Sequence, residues 1–419
     1  MPDLITTASP DKPTRSKGPR QNASRLRDGV MKRGQTWSYV IRVKDPETGV
    51  SKPRWVGGFA TEQAAKSARD QARVKAHHGR YIDRSTITVS TYLDDWIEAH
   101  AVEIKPKTLQ DYRHLINRHV RPHIGELRLQ AVTPARITKL YRDLMTRGGR
   151  NGTGLSHRTV AYVHAVLRKA FRDAVVVEQL LPSNPIARAK RPRKTAAEPG
   201  TVWHPAQLAA FLATAQGHRL SAFYHLAAYT GARPGELLNL RWQDIDLDAP
   251  QIRITGSAAV IAGKRIEGTT KSGRSRTISL DAETGQVLRD HWKRQAQDRL
   301  KASPDWKGTD DYVFRTAWGE PVHPDTVSSL MTTLVKAHND KHPDSALPHA
   351  RLHDLRHVHA TTLLLAGTQV HVVAARLGHA DPSITLRVYA HVISNQLAEA
   401  ADIFAQVIRA AGQPLLHPR

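Results

Sequence analysis

A series of amphipathic helical patterns, separated by proline and glycine, constrains the middle of this chain more than any other feature. Tyr92, Leu93, Trp96 and Ile97 form one apolar stripe, and three similar stripes follow between residues 106 and 171. Apolar residues that recur three and four positions apart are typical of helices that bury one face. The pattern therefore predicts an all-α module of four helices that presents Arg and Lys on its outer faces.

Residues 31–82, upstream of this module, predict a small β-sheet with one packed helix. Thr61 precedes a run of alanines at helical spacing and can cap that helix. A small sheet of this kind can lie in a DNA groove, although it can also simply pack on a neighbouring domain. The residues that indicate strands are Trp37, Tyr39, Ile41 and Val43, followed by Arg54–Val56.

Downstream, residues 201–410 mix helical patterns with short strands at 252–254 and 277–280. We therefore expect a multidomain fold with a small N-terminal β-sheet plus helix domain, an all-α domain and a mixed α/β, mainly helical domain. The expected segments are a flexible basic tail (1–30), the sheet domain (31–84), the helical domain (85–187), a basic linker (188–200), the mixed domain (201–395) and a C-terminal helix and tail (396–419).

The charge of the chain is large and unevenly distributed. The net charge is +24, of which residues 1–84 and 85–199 contribute +10 each and residues 200–419 only +4. This excess indicates a polyanionic partner, most simply double-stranded DNA. An apolar fraction of 40% is enough for folded cores, and the absence of Cys excludes disulfides and thiolate metal sites. With no apolar run near the ~20 residues of a membrane span and no signal peptide, we expect a cytoplasmic, nucleoid-associated protein without a membrane partner.

Several polar residues of the second half lie where a simple helical core does not place them. Taken singly, each has an ordinary explanation, since Glu236 can pair with Arg233 and a tyrosine on an amphipathic helix is usually a core residue. In chain order they are Arg233 in Thr-Gly-Ala-Arg-Pro-Gly-Glu, Lys271 in Thr-Lys-Ser-Gly-Arg, His353 and Arg356 in His-Asp-Leu-Arg-His, His379 in Leu-Gly-His, and Tyr389 ten residues later.

Together, in this order and at these spacings, the motifs resemble the signature of the tyrosine recombinase, or phage integrase, family. The resemblance extends over about residues 86–410 and implies a SAM-like core-binding domain followed by a catalytic domain. Lys271 resembles the family's β-hairpin lysine. Residues 31–82 resemble, less specifically, the arm-type DNA-binding domain of many phage integrases.

The resemblance implies that the protein cleaves and rejoins DNA through a 3′-phosphotyrosyl intermediate, with Tyr389 as the nucleophile. The phosphotyrosine conserves the bond energy of the DNA strand, so neither ATP, nor a metal, nor another cofactor is expected. The other implied roles are phosphate binding by Arg233, Arg356 and His379, proton acceptance by His353, and proton donation to the leaving 5′-oxygen by Lys271.

The family also implies a homotetramer on two DNA duplexes, with a DNA-bending host factor and an excisionase as candidate further partners. An apolar stripe in the tail fits a helix donated to a neighbouring protomer, and equally a helix packed on its own core. The residues of this stripe are Leu397, Ala401, Phe404 and Ile408.

Alternatives remain open at the level of sequence. A Xer-like or transposon-type recombinase shares the motifs, although a chromosome-dimer resolvase normally lacks a domain like residues 31–82. A type IB topoisomerase uses similar chemistry but fits the two-lobe layout less well. From a different class, a catalytically silent DNA-binding protein could use the same fold, against which the complete set of site residues argues.

Overall fold

The computed structural model describes residues 28–44, 48–77, 81–192, 202–271, 273–308, 311–393, 404–405 and 408–409. The chain groups into two compact units, one of residues 1–102 and 112–194 and one of residues 103–111 and 195–419. Nearly all of the predicted N-terminal tail and most of the predicted linker lie outside the described residues. Among the helices of the described ranges, none combines the length and apolar character that crossing a bilayer requires.

The first unit begins with an antiparallel sheet in the order β1–β2–β3, formed by Val30–Arg33, Thr36–Lys44 and Ser51–Phe59. Its inner face packs against α1, Glu62–His77, which Thr61 caps by accepting a hydrogen bond from the third residue after it. The predicted alternation is therefore correct for β2 and β3. The shared core consists of Val30, Tyr39, Ile41, Val56, Ala65 and Ala72.

The strand β1 is an addition to the predicted sheet. Val30, which the sequence placed at the end of the basic tail, is 1% exposed and pairs with Tyr39 in the middle of β2. A four-residue strand with a single buried residue gives too short an alternation to be recognised in the sequence alone.

The helical part of the first unit confirms the predicted all-α module. A π-helical turn, Ile116–Val120, joins two of the helices, and Thr133 and Ser156 cap two others with their hydroxyl oxygens. Gly125 and Gly148 end α4 and α5, and Pro106 and Pro134 begin α3 and α5. The helices of this module are α2 (Val89–His100), α3 (Pro106–Leu115), α4 (Arg121–Ile124), α5 (Pro134–Arg147) and α6 (His157–Val176), and residues 106–111 of α3 group with the second unit.

The second unit contains an antiparallel sheet in the order β4–β5–β8 and a separate hairpin β6–β7. The strands predicted at 252–254 and 277–280 correspond to β5 and β8. The residue pattern did not predict β6 and β7, and a hairpin near Lys271 was implied by the family resemblance alone. The strands are β4 (Ile245–Asp246), β5 (Gln251–Ile254), β6 (Gly256–Ile261), β7 (Lys264–Thr269) and β8 (Arg276–Ser279).

Helices form most of the second unit, which confirms the predicted mixed, mainly helical fold. The helix α12 packs against α8, α13 and α14, and α13 also contacts β8. The end of α8 lies close to the first turn of α12, where Arg356 donates to the carbonyl oxygen of Gly231. The helices are α7 (Pro205–Ala215), α8 (Ser221–Thr230), α9 (Pro234–Leu238), α10 (Ala282–Ala302), α11 (Pro324–Lys341), α12 (Asp354–Leu365), α13 (Val370–Leu377) and α14 (Pro382–Ile393).

The C-terminal stripe is only partly visible. Leu397 and Ala401 lie outside the described residues, whereas Phe404 and Ile408 lie within them and are 69% and 55% exposed.

Candidate active site

Arg233 is presented by a sharp break between α8 and α9. Gly231 ends α8 with a left-handed backbone, φ +61°, and Arg233 follows as the N-cap residue of α9. A Cβ at Gly231 would lie 2.7 Å from the ring of His359 and 2.8 Å from Leu377, so glycine alone fits there without a shift of its neighbours. The Thr-Gly-Ala-Arg-Pro motif thus encodes the break that exposes part of the Arg233 side chain.

Glu236 is a fully buried carboxylate that binds two arginines. Arg233 Nη1 donates to Oε1 at 2.8 Å, and Arg276 Nη2 donates to Oε2 at 2.7 Å. Burial alone raises the pKa of Glu236, but the hydrogen bond and charge of Arg276, followed by those of Arg233, outweigh burial and hold the pKa below its ordinary value. Glu236 therefore stays ionised and fixes the direction of the Arg233 guanidinium.

The first turn of α12 brings His353, Arg356 and His357 onto one face, because residues three and four apart are neighbours on a helix. Arg356 is 3% exposed and donates from Nη1 to the carbonyl oxygen of Gly231 at 2.8 Å. Within the described part of the chain its Nη2 is buried without a hydrogen-bond partner. Burial, followed by the charge of Arg233, lowers the pKa of Arg356 to about 10, so the guanidinium remains cationic at neutral pH.

His379 follows the left-handed turn that ends α13. Gly378 has φ +68°, and the His379 amide N donates to the carbonyl oxygen of Ala374 at 3.0 Å, which closes the helix end. His379 Nδ1 lies 2.7 Å from the hydroxyl oxygen of the buried Thr385. Burial and the charges of Arg356, Arg233 and Arg276 lower the pKa of His379 to about 4, so the ring is neutral at pH 7.

Tyr389 lies in the third turn of α14 and is 2% exposed, packed among apolar residues of α12 and α13. Its Oη lies 2.9 Å from His357 Nδ1. Burial raises the pKa of Tyr389 to about 12, and the nearby charge of Arg356 opposes this rise. The phenol is therefore protonated at neutral pH and can attack only if a base receives its proton.

Lys271 lies on the turn between β7 and β8 and is exposed. The turn is closed by the amide N of Gly273, which donates to the carbonyl oxygen of Thr270 at 3.1 Å. Lys271 thus projects from a short loop whose far end enters β8 and reaches Arg276.

The predicted site residues other than Lys271 interact electrostatically with one another. Arg233 and Arg356 both contribute to the lowered pKa of His353 and of His379. Arg356 also limits the rise that burial causes in the pKa of Tyr389. After burial and the neighbouring His357, these arginines bring the pKa of His353 to about 4. The arrangement concentrates positive charge beside one buried phenol, which suits an anionic, phosphate-sized group.

Two residues of the site were missed by the sequence analysis. His357 was given no role there, although its position four residues after His353 places it on the same face of α12. Arg276 lies two residues before the buried Ile278 on β8 and so shares its inward face, a signal that the strand pattern already carried.

Comparison with known proteins places the chain in a family. Family models match residues 30–76 (Arm DNA-binding domain), 88–145 (Phage integrase, N-terminal SAM-like domain) and 204–396 (Phage integrase family). This order of domains, the fold and the cationic site with its buried tyrosine define a DNA strand transferase. The chain belongs to the tyrosine recombinase, or phage integrase, family and is a tyrosine-type site-specific recombinase.

Individual relatives agree with this assignment. The ICEBs1 integrase of Bacillus subtilis is 29% identical over 346 residues, which cover 82% of this chain and 88% of that protein. The Tn1549 transposon integrase, solved with a circular intermediate DNA, is 22% identical with a TM-score of 0.63 over 72% of this chain and 95% of that one. A lambda integrase tetramer bound to a Holliday junction gives 18% identity and a TM-score of 0.52 over 87% and 95% of the two chains. At these identities the solved structures establish the fold.

Proposed function

We propose that this recombinase integrates or excises a mobile element by cleaving and rejoining duplex DNA through a 3′-phosphotyrosyl link to Tyr389. The observation that carries the proposal is the placement of the buried Tyr389 hydroxyl within the field of Arg356, a buried arginine with one unpartnered Nη2 among the described residues. A buried donor without a partner costs about 1–3 kcal/mol. A phosphate oxygen of the DNA would remove that cost.

In this proposal Arg233, Arg356 and His379 bind the scissile phosphate. Arg233 is held in direction by Glu236 and Arg356 by the Gly231 carbonyl, so both cations are oriented before DNA arrives. Donors that are fixed in advance stabilise the charge that develops on the non-bridging oxygens of the pentavalent phosphorus. The neutral His379 ring, with Nδ1 beside Thr385, has Nε2 available to donate a further hydrogen bond.

In the cleavage step the Tyr389 Oη–phosphorus bond forms and the bond from phosphorus to the 5′-oxygen breaks. The tyrosine proton passes to a base, and the 5′-oxygen takes a proton from Lys271, whose exposed position on a turn lets it approach bound DNA. Religation runs these transfers backwards. Because the number of phosphodiester-type bonds is unchanged, the step needs no energy source or cofactor.

Residues 1–84 and 85–199, which carry a net charge of +10 each, support DNA binding outside the catalytic domain. The sheet domain carries Arg33 stacked over the half-exposed Trp55 at 4.1 Å, an arrangement that can face a DNA groove. We propose that this domain binds arm-type sites, that the helical domain binds the core site, and that the protein acts on DNA in the nucleoid.

A homotetramer on two duplexes is the assembly that we propose for strand exchange. The exposed Phe404 and Ile408 support a tail that packs on a neighbouring protomer. A DNA-bending host factor and an excisionase would then set the direction of the reaction, as the resemblance to phage-type integrases suggests.

The alternatives make different predictions for the domains and the nucleophile. A Xer-like resolvase would need no arm domain, so the match of residues 30–76 to an arm DNA-binding domain disfavours this alternative. A transposon-type recombinase shares the mechanism proposed here. A catalytically silent binding protein would form no covalent product at all.

The test is covalent trapping on a nicked suicide duplex that carries the crossover sequence recovered from the junctions between the element and its host chromosome. The wild-type protein should give an SDS-resistant adduct, and Tyr389→Phe should bind the duplex without forming one. Tyr162→Phe, at a partly exposed tyrosine of α6, is the matched control and should behave as the wild type. An adduct with Tyr389→Phe would refute the assignment.

A further inference from the structure

The hydrogen bond between His357 and Tyr389 joins a partly buried side chain to a buried one. The Nδ1–Oη distance is 2.9 Å, and the two ring centroids lie 5.8 Å apart. We infer that His357 is the base that receives the Tyr389 proton when the phenol attacks DNA, an inference that rests on the proposed function, in which Tyr389 is the nucleophile. A candidate base must lie within hydrogen-bond reach of the proton that it removes, and His357 does.

Burial keeps the His357 ring in the neutral, accepting state. It lowers the pKa of His357 more than the charge of Asp354, on the same helix turn, raises it, and the charge of Arg356 adds a smaller lowering. From the other side the His353 ring contacts His357 edge-on, with centroids 5.3 Å apart, and Tyr389 approaches from α14. A neutral ring protonated on Nε2 has its Nδ1 lone pair directed at the phenol proton.

Every proton that a side chain gives up or takes in cleavage is returned in religation. As the Oη–phosphorus bond forms, the Tyr389 proton moves to His357 Nδ1, and Lys271 gives a proton to the departing 5′-oxygen. His357 is then cationic and Lys271 neutral. During religation the incoming 5′-hydroxyl returns a proton to Lys271, and His357 returns its proton to Oη as the phosphotyrosine bond breaks.

His353, which the family resemblance favoured as the base, is placed differently. In the described residues Tyr389 Oη has its hydrogen bond with His357. Arg356 and Arg233 both act on His353, whereas of these two arginines only Arg356 acts on His357. His353 is better placed beside the arginines, where a neutral ring can donate to a phosphate oxygen.

The experiment compares two leaving groups on the same suicide duplex. One duplex has the natural 5′-oxygen at the scissile phosphate, and the other has a 5′-bridging sulfur, whose thiolate leaves without being protonated. Adduct formation is followed between pH 6 and pH 9 for the wild type and for His357→Asn, His357→Ala, His353→Asn and Lys271→Ala. His371→Asn, at an exposed histidine of α13, is the matched control.

His357→Asn retains an oxygen that can accept the tyrosine hydrogen bond but cannot hold the proton. We expect it to slow adduct formation by about 100-fold or more on both substrates, the usual contribution of a general base. Its rate should rise with pH throughout, whereas the wild-type rate should level off. Lys271→Ala should be slow on the oxygen substrate and restored on the sulfur substrate, and His371→Asn should match the wild type.

Several results would overturn the assignment of the base to His357. One is a rate for His357→Asn or His357→Ala that equals or exceeds that of the wild type. Another is a rate that rises with pH throughout in His353→Asn but levels off in His357→Asn. Gel shifts with the duplex and thermal unfolding of each variant identify any that fail to fold, and the Asn variant is the gentler of the two. If the wild type itself forms no adduct, the proposed function fails, which distinguishes that outcome from failure of the inference alone.

Discussion

Arg276 and Glu236 form an ion pair with two hydrogen bonds, Nη2 to Oε2 at 2.7 Å and Nη1 to Oε1 at 3.2 Å. The Nε of the same guanidinium donates to the carbonyl oxygen of Arg376, in the last turn of α13, at 3.1 Å. One side chain on β8 therefore connects the turn of Lys271, the helix start that holds Arg233 and the loop that leads to His379. We therefore expect Arg276 to act on the reaction through these neighbours, as a positioning residue.

Replacing Arg276 by Met should destabilise the second unit and slow DNA cleavage. The carboxylate of Glu236 would remain buried with Arg233 as its sole described ionic partner, and breaking such a pair typically costs about 3–5 kcal/mol. We expect a loss near 3 kcal/mol, at the lower end of that range, because Arg233 still binds Glu236. Urea denaturation gives the free energy of unfolding, and adduct formation on the suicide duplex gives the rate.

Arg253→Met is the matched control for Arg276→Met. Arg253 lies on the neighbouring strand β5, pairs in register with Thr277 and is exposed. Exposed charges contribute about 0–1 kcal/mol, so this variant should keep nearly the wild-type stability and rate. Equal effects of the two substitutions would contradict the role of Arg276.

Gly378→Ala should disturb the same junction from the other side. The backbone of Gly378 is left-handed, and an added Cβ would lie 2.7–2.9 Å from three atoms of the Arg276 side chain. A left-handed residue other than glycine costs about 1–2 kcal/mol, and displacement of Arg276 adds to this cost. We expect a lower free energy of unfolding and a slower adduct rate.

Gly367→Ala separates the two contributions in Gly378→Ala. Gly367 is also left-handed, with φ +83°, but nothing lies within 4 Å of an added Cβ. It should show the backbone cost alone and an unchanged adduct rate. If both alanine variants lose the same stability and neither changes the rate, Arg276 does not transmit strain to the site.

The sequence predicted the residues that bear charge in the site better than it predicted their partners. Arg233 with Glu236, and Tyr389 in its helix, could be identified because helix breaks, caps and motif spacing are local signals. The contact between His357 and Tyr389 joins residues 32 positions apart on different helices. Periodicity predicts which face of each helix is buried, but it does not predict which two faces meet.

The same reasoning explains the misses in the fold. The strands β5 and β8 contain β-branched, alternating residues and were found, whereas the hairpin β6–β7 contains Gly256, Gly263 and Gly268, which weaken a strand pattern. Arg276 was overlooked because a basic residue on a strand is usually assigned to solvent. Its buried partner Glu236 lies 40 residues earlier in the chain.

The stability of the second unit should fall as the pH decreases from about 6.5 to about 4. Burial lowers the pKa of His291 from 6.5 to about 4, and this residue is 7% exposed. In that window the unfolded chain binds a proton that the folded chain does not, so acid favours unfolding. One such group contributes a slope of up to about 1.4 kcal/mol per pH unit, measurable by urea denaturation at several pH values.

His291→Gln should make this dependence shallower. The glutamine amide can replace the hydrogen bond from Nε2 to the carbonyl oxygen of Val313, 2.8 Å in length, without titrating. His371→Gln, at an exposed position, should leave the slope unchanged. A slope that is the same in His291→Gln and the wild type would show that other groups account for the acid sensitivity.

Deleting residues 1–84 should separate arm-site binding from catalysis. The sheet and α1 have a core of their own, and the segment carries a net charge of +10, so its loss should weaken DNA binding that depends on counterion release. We expect the slope of log affinity against log salt concentration to become less steep, by about 0.9 for each DNA phosphate that the shorter chain no longer neutralises. Adduct formation on the core-site duplex should persist while integration of a plasmid that carries the full attachment site falls. Loss of core-site adduct formation in a correctly folded truncated protein would show instead that residues 1–84 take part in core-site recognition.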